Sequence, residues 1–189
     1  MIYVLLAEGF EEVEALTPLD MLLRAGADVK TVSITEEKSV RGAHGICVAA
    51  DLSASEAKYL PELLILPGGM PGTRHLDGSP FVDALVRDTV KKGGRLAAIC
   101  AAPMVLGKRG LLVGKHAVCY PGFEEMLTGA YLSENQVVTD GLVTTATGVG
   151  SALLFGAELV RLMYGEETKD RLLDALQYRG PRPLAENRS

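Results

Sequence analysis

Along the chain, short aliphatic runs alternate with longer stretches whose apolar residues recur at helical spacing. Ile2–Ala7 is a compact apolar run of the kind carried by a strand buried on both faces. Glu11–Ala25 then sets Val13, Leu16, Leu19, Leu22 and Leu23 at helical spacing and ends before Gly26, a suitable C-terminal cap. Pro18 interrupts that stretch and predicts a bend, or a second helical start capped by Thr17. Asp28–Ile34 reads as a second strand, and residues 40–50 as a Gly-containing extended segment of hairpin character. Leu63–Leu66 is a short buried strand that runs straight into Pro67-Gly68-Gly69-Met70-Pro71-Gly72.

Ser79-Pro80 has the form of an N-cap followed by proline at the first helical position, and the helix it opens reaches about Lys92 before Gly93-Gly94. Arg95–Ile99 is the next strand, with a helix after Cys100. His116–Tyr120 and Gln136–Thr139 read as short extended pieces, Leu142–Ala146 as a strand, and Gly148–Tyr164 and Glu167–Tyr178 as helices. The whole chain, 1–189, reads as one domain, with the Pro-rich, charged residues 179–189 as a surface tail. Strands alternating with helices predict an α/β fold, a mostly parallel sheet covered by helices on both faces. Such sheets place their sites in loops beyond the carboxyl ends of the strands. Three loops qualify: Glu8–Glu14, Pro67–Gly72 and the turn at Cys100.

Composition adds mainly exclusions. Hydrophobic residues make up 48% and charged residues 23% of the 189, as in ordinary globular chains. A net charge of −5 and a pI near 5.3 give no electrostatic reason to expect nucleic-acid binding. Three cysteines, an odd number, argue against a disulfide framework and for a reducing compartment. The first apolar run has no basic segment ahead of it and is cut short by Glu8, so it reads as a strand and not a secretory leader. No apolar stretch reaches the ~18 residues of a membrane span, and the expected location is the cytoplasm. Cys47 and Cys119 lack zinc-site spacing, and no phosphate-cradling glycine motif is present, so neither a metal nor a cofactor is implied.

Cys100 is the residue in this pattern with reactive chemistry. It sits at a strand-to-helix junction among small residues, the setting of a nucleophile elbow, where a helix N-terminus favours the thiolate. An inert buried cysteine is the alternative. Gly68 and Gly69 serve equally as turn glycines or as a backbone N–H donor, and the N–H of Gly69 with that of Ala101 would form an oxyanion hole. Glu11, Glu12 and Glu14 open the first helix, where carboxylates suit the helix end. Glu14, set between Val13 and Ala15, is expected to point inward, where burial beside a thiol raises its pKa and makes it a proton donor and acceptor. His75, in the loop after Gly72, is a candidate to approach the site. No histidine follows His116, which excludes a Cys-His-Glu glutaminase with a C-terminal His-x-Glu, and Ala101 excludes a protease with histidine directly after its cysteine.

The segments AEGFEEVEALTPLDMLLRAG, LILPGGMPG, AAICAAPMVL and ATGVGSALLFGAELV resemble, in order and spacing, the ThiJ/PfpI family, from Ile2 to about Tyr164. The resemblance implies a flavodoxin-like three-layer sandwich and a homodimer. It also implies that Cys100 is an oxidation-sensitive nucleophile hydrogen-bonded by Glu14, with Gly69 and Ala101 as oxyanion donors. Gly68, His75, Tyr120 and Gly148 are the further pocket candidates. The activities it implies are glutathione-independent glyoxalase and deglycase action on small dicarbonyls such as methylglyoxal or glyoxal and on glycated groups, with hydrolase or lyase chemistry. A non-enzymatic stress sensor or chaperone working through oxidation of Cys100 is the rival. Where some relatives have a histidine near the cysteine, this chain has Tyr120, which moves acid–base work to Glu14.

Overall fold

The computed structural model describes residues 1–180; most of the expected tail, 181–189, lies outside the described residues. In chain order the elements are β1 (Ile2–Leu6), α1 (Glu12–Arg24), β2 (Val29–Ser33), β3 (Ser39–Arg41), β4 (Cys47–Ala49), β5 (Leu63–Leu66), α2 (Gly72–Gly78) and α3 (Pro80–Lys91). There follow β6 (Arg95–Ile99), α4 (Pro103–Gly107), β7 (His116–Ala117), β8 (Tyr131–Leu132), β9 (Val137–Asp140), β10 (Val143–Ala146), α5 (Ala152–Tyr164) and α6 (Glu166–Ala175). Six strands form the central sheet in the order β2-β1-β5-β6-β10-β9. All neighbours are parallel except β9, which pairs antiparallel with β10 at the edge. The segment 40–50 is a hairpin as expected, β3 against β4.

The sheet is covered on both sides because its strands are apolar on both faces. Ile2, Val4 and Leu6 of β1 pack with Met21 and Leu22 of α1 and Phe155 and Leu159 of α5. Tyr3, Leu5 and Ala7 point the other way, into a layer with Val82 and Val86 of α3 and Val105 of α4. The expected three-layer α/β sandwich is therefore the observed architecture. Ser79 caps α3, its hydroxyl accepting from Val82 N–H at 3.3 Å, and Gly26 ends the turn after α1 at φ +83°.

Four expectations need correction. Pro18 neither ends nor restarts α1, which runs unbroken from Glu12 to Arg24. Proline has no N–H to give the Glu14 carbonyl, but its buried ring lies against α5. The segment after Gly72 is not a loop: it is helix α2, and His75 stands on it. The helix after Cys100 begins at Pro103 and lasts five residues. The last long helix begins at Ala152, preceded by a tight turn over Val149–Ser151.

The α1–α5 crossing is close because α5 carries a glycine there. A Cβ at Gly156 would lie 2.5 Å from Met21 Sδ and 3.2 Å from Pro18 Cα, so one neighbour is a movable thioether and the other is backbone. Gly156→Val is expected to lower the unfolding free energy by about 2 kcal/mol, the usual cost of overpacking. Met21→Ala should then cost less in the Gly156→Val background than in the wild type. Urea melts of the two single variants and the double variant test it; strictly additive losses would mean the two side chains do not compete for one space.

Candidate active site

Three loops meet at the carboxyl edge of β1, β5 and β6. Cys100 is the first residue past β6 and has φ +64°, a left-handed conformation that costs a non-glycine residue about 1–2 kcal/mol. Hydrogen bonds hold it there. Its N–H donates to Ala146 O at the end of β10 at 2.9 Å, and its carbonyl accepts from Tyr120 N–H at 2.8 Å. The turn swings the side chain out of the strand, leaving the residue partly exposed between two buried neighbours, Ile99 and Ala101.

Beneath the sulfur lies Glu14, with no exposed surface. Glu11 sets it by capping α1, its carboxylate accepting from Glu14 N–H at 2.7 Å. Glu14 Oε2 accepts from Gly68 N–H at 3.0 Å, while Oε1, fully buried, has no hydrogen-bond partner. The Cys100 thiol is the side chain beside the carboxyl. Burial pushes the Glu14 carboxyl up to about 7, with the Cys100 thiol and the Gly68 N–H opposing the effect and the Glu11 charge adding to it. Burial also pushes the Cys100 thiol up to about 12, reinforced by the neighbouring Glu14 carboxylate. The backbone N–H groups of Ala101 and Gly69 beside it pull the other way. The lowered thiol expected from a helix N-terminus is therefore not found: α4 is one short turn starting three residues later, and desolvation outweighs it.

The glycines are required by contact. A Cβ on Gly68 would lie 2.5 Å from Glu14 Oε2 and 2.6 Å from Cys100 Cβ, in the space the pair occupies. Gly69 has φ +89° and rides directly on the backbone of Gly9–Glu11. Glu11 N–H donates to Gly68 O at 3.0 Å and Gly72 N–H to Gly9 O at 3.2 Å, so the loops after β1 and β5 are clamped together. That clamp holds Gly69, whose N–H favours charge on the sulfur.

The remaining sequence candidates divide. Tyr120 and Gly148 stand at the site: a Cβ on Gly148 would be 3.3 Å from Tyr120 Cδ2 and 3.9 Å from the Cys100 sulfur. His75 is exposed, and its Nδ1 is bonded to the Glu8 carbonyl at 2.8 Å, a tether between α2 and the loop after β1. The three cysteines are all free; Cys47 is exposed, and burial pushes the Cys119 thiol up to about 11. Sequence reasoning did not foresee the pairing of Glu12 with His44, whose Nδ1 lies 2.8 Å from Glu12 Oε2. Among the described residues, Glu11, Glu12 and His44 are the group of metal-capable side chains, with ligand atoms within 4.8 Å. Glu12 is already engaged there, its Oε1 accepting from His44 N–H at 2.9 Å, which fastens the β3–β4 turn to α1. A surface cavity of about 500 Å³ lies at the opposite edge of the sheet, against Lys58, Tyr59, Pro61 and Gly94, and contains none of the site residues.

The DJ-1/PfpI family model matches residues 1–162. Protein DJ-1 homolog A of Arabidopsis thaliana is 36% identical over 94% of this chain, which spans 46% of that longer protein. The glutathione-independent glyoxalase DJR-1.2 of Caenorhabditis elegans is 32% identical, over 89% of this chain and 91% of its own length. Among solved structures, oxidized Toxoplasma gondii DJ-1 superposes with a TM-score of 0.91 at 33% identity, covering 95% of this chain and 98% of that one. With the family match running from β1 almost to the end of α5, through every element that builds the site, the chain belongs to the DJ-1/PfpI family.

Proposed function

We propose that this protein is a cysteine-dependent, glutathione-independent glyoxalase and deglycase acting on methylglyoxal or glyoxal and their adducts. The observation that carries the reading is the Cys100 turn, which sets one thiol against one buried carboxyl and two backbone N–H groups. The name of the Caenorhabditis elegans relative supports it.

The thiolate of Cys100 adds to the aldehyde carbon. A C–S bond forms, the carbonyl π pair moves to oxygen, and that oxygen takes the proton from the Glu14 carboxyl while the Gly69 and Ala101 N–H groups steady it. The Glu14 carboxylate then removes the former aldehyde hydrogen as a proton and returns it to the neighbouring carbon, while the hydroxyl proton on the first carbon passes to the oxygen of the second. The first carbon is thereby oxidised to a thioester and the second reduced to an alcohol, with no external oxidant. Water cleaves the thioester, releasing lactate from methylglyoxal or glycolate from glyoxal and restoring the thiol. Where the aldehyde is held by an amine or thiol, that group departs with a proton.

Lactate release from methylglyoxal without glutathione tests the reading. Cys100→Ser should abolish turnover, and Glu14→Gln should lower it at least roughly 100-fold, the usual range for a lost acid–base group, with circular dichroism unchanged. Full activity in Cys100→Ser would refute the mechanism.

The pair also predicts a pH signature. Its first proton leaves near pH 7 and its second near 12, and the singly protonated form includes the tautomer with the proton on Glu14 and the charge on sulfur. Alkylation of Cys100 by iodoacetamide should therefore speed up as pH rises through about 7, and again toward 12. Glu14→Gln should lose the step near 7 and keep one thiol ionisation below 12, since the carboxylate charge is gone. An unchanged step near 7 in that variant would assign the proton elsewhere.

The oxidised state named for the Toxoplasma gondii structure favours a second reading for the same sulfur. Here the Gly69 and Ala101 N–H groups and a protonated Glu14 would hold the oxygens of a Cys100 sulfinate formed by peroxide. Mass spectrometry after stoichiometric peroxide should then find Cys100 modified first. Earlier oxidation of the exposed Cys47 would remove the basis for a sensor.

A further inference from the structure

Two further carboxylates are buried at the start of α1, and neither is the one set against Cys100. Glu11 is 8% exposed and Glu12 5%. Each has one oxygen fixed by backbone: Glu11 Oε2 accepts from Glu14 N–H at 2.7 Å, and Glu12 Oε1 accepts from His44 N–H at 2.9 Å and Ile46 N–H at 3.4 Å. The two remaining oxygens converge on one atom. His44 Nδ1 lies 2.8 Å from Glu12 Oε2 and 3.8 Å from Glu11 Oε1, and all three ligand atoms lie within 4.8 Å of one another. Among the described residues, Glu11 Oε1 takes no hydrogen bond, and no lysine or arginine pairs with either carboxylate. The positive end of α1 amounts to about half a unit charge, so the two carboxylates outweigh it.

The frame around these atoms is built. Ala43 N–H donates to Phe10 O at 2.7 Å and Gly9 N–H to Arg41 O at 2.8 Å, which binds the β3–β4 turn to the loop before α1. A Cβ on Gly42 would fall on the Glu12 carboxylate. Gly42 is not left-handed, so space for that carboxylate, and not backbone conformation, calls for glycine there. The imidazole is the movable member, with its side chain 70% exposed.

We propose that Glu11 Oε1, Glu12 Oε2 and His44 Nδ1 bind a zinc(II) ion. The ion replaces the proton between His44 Nδ1 and Glu12 Oε2, and that proton leaves to solvent. Zinc holds imidazole nitrogen and carboxylate oxygen at about 2.0–2.2 Å, which a small inward shift of the exposed ring supplies, and water completes the tetrahedron. The backbone N–H bonds to the far oxygens orient both carboxylates, as outer partners do in metal sites. An imidazole ligand selects zinc and its late-transition neighbours over magnesium and calcium, which take oxygen. The site uses none of the atoms assigned to the proposed reaction, so the two readings stand or fall separately.

The test is zinc titration of the chelator-treated full chain, read by competition with a chromogenic chelator. Cys47→Ser and Cys100→Ser are introduced throughout, which leaves only the buried Cys119 as a thiol. One zinc per chain should bind. His44→Ala removes an exposed side chain and should weaken binding at least roughly 100-fold, the upper end of what losing an outer partner costs. Glu12→Gln keeps an oxygen for the turn's N–H groups and should weaken it comparably. Glu8→Gln alters a carboxylate on the same loop that accepts from Arg41 N–H, outside the triangle, and should leave the affinity unchanged. Cobalt(II) in place of zinc should give tetrahedral visible absorption that His44→Ala removes. Zinc at about 100 times its dissociation constant should raise Tm by about 5 °C, an effect absent in His44→Ala. Unchanged zinc affinity in His44→Ala, equal losses in Glu8→Gln and Glu12→Gln, or equally tight magnesium would each overturn the site.

Discussion

A carboxyl group with no access to water governs the carboxyl edge of this sheet. Glu14 is buried under a thiol, and the surrounding backbone is arranged to tolerate it: one oxygen takes the Gly68 N–H, and Gly68 has no Cβ to crowd it. The other oxygen is buried with no hydrogen-bond partner. Such a group weighs on the fold. Its pKa rises from 4.5 to about 7 on folding, so below 4.5 it is neutral in both states and imposes no penalty, while above 7 the folded state bears the full one. That penalty is on the order of 3 kcal/mol, a sizeable share of a domain's stability, and it is consistent with a residue kept for chemistry and not for packing.

The same burial changes how the thiol should be understood. A thiol at a helix start is ordinarily pictured as acidified by the helix, but here the helix is one turn and the nearer charge is a carboxylate. Cysteine and glutamate act as one two-proton unit. Reactivity then depends on where the single remaining proton sits at neutral pH, and the Ala101 and Gly69 N–H groups bias that choice by stabilising charge on sulfur.

Much of this was legible in the chain. Runs such as Leu63–Leu66 and Arg95–Ile99 carry no polar interruption, so strands and the parallel sheet followed from local pattern. Glu14 could be singled out because it interrupts an apolar stretch, and Cys100 because small residues surround it. What escaped notice depends on partners far along the chain. Pro18 looks like a helix breaker until Gly156 is placed against it. Glu12 looks like a generic helix-end acid until His44 arrives from the hairpin. The strand β8 is two exposed residues, too short for any periodicity, and the antiparallel edge at β9 is a matter of topology. Tyr120 was visible as a departure from some relatives, but its position above Gly148 is a property of the folded turn.

The bond from Cys100 N–H to Ala146 O also has a consequence for biosynthesis. Glu14 and the cysteine leave the ribosome well before β10, so an emerging chain holds both halves of the proton pair while the strand that fixes the left-handed turn is still unmade. Until β10 docks beside β6, that thiol is an ordinary cysteine. The surroundings that pair this thiol with a buried carboxyl are completed last, when nearly the whole domain has been translated.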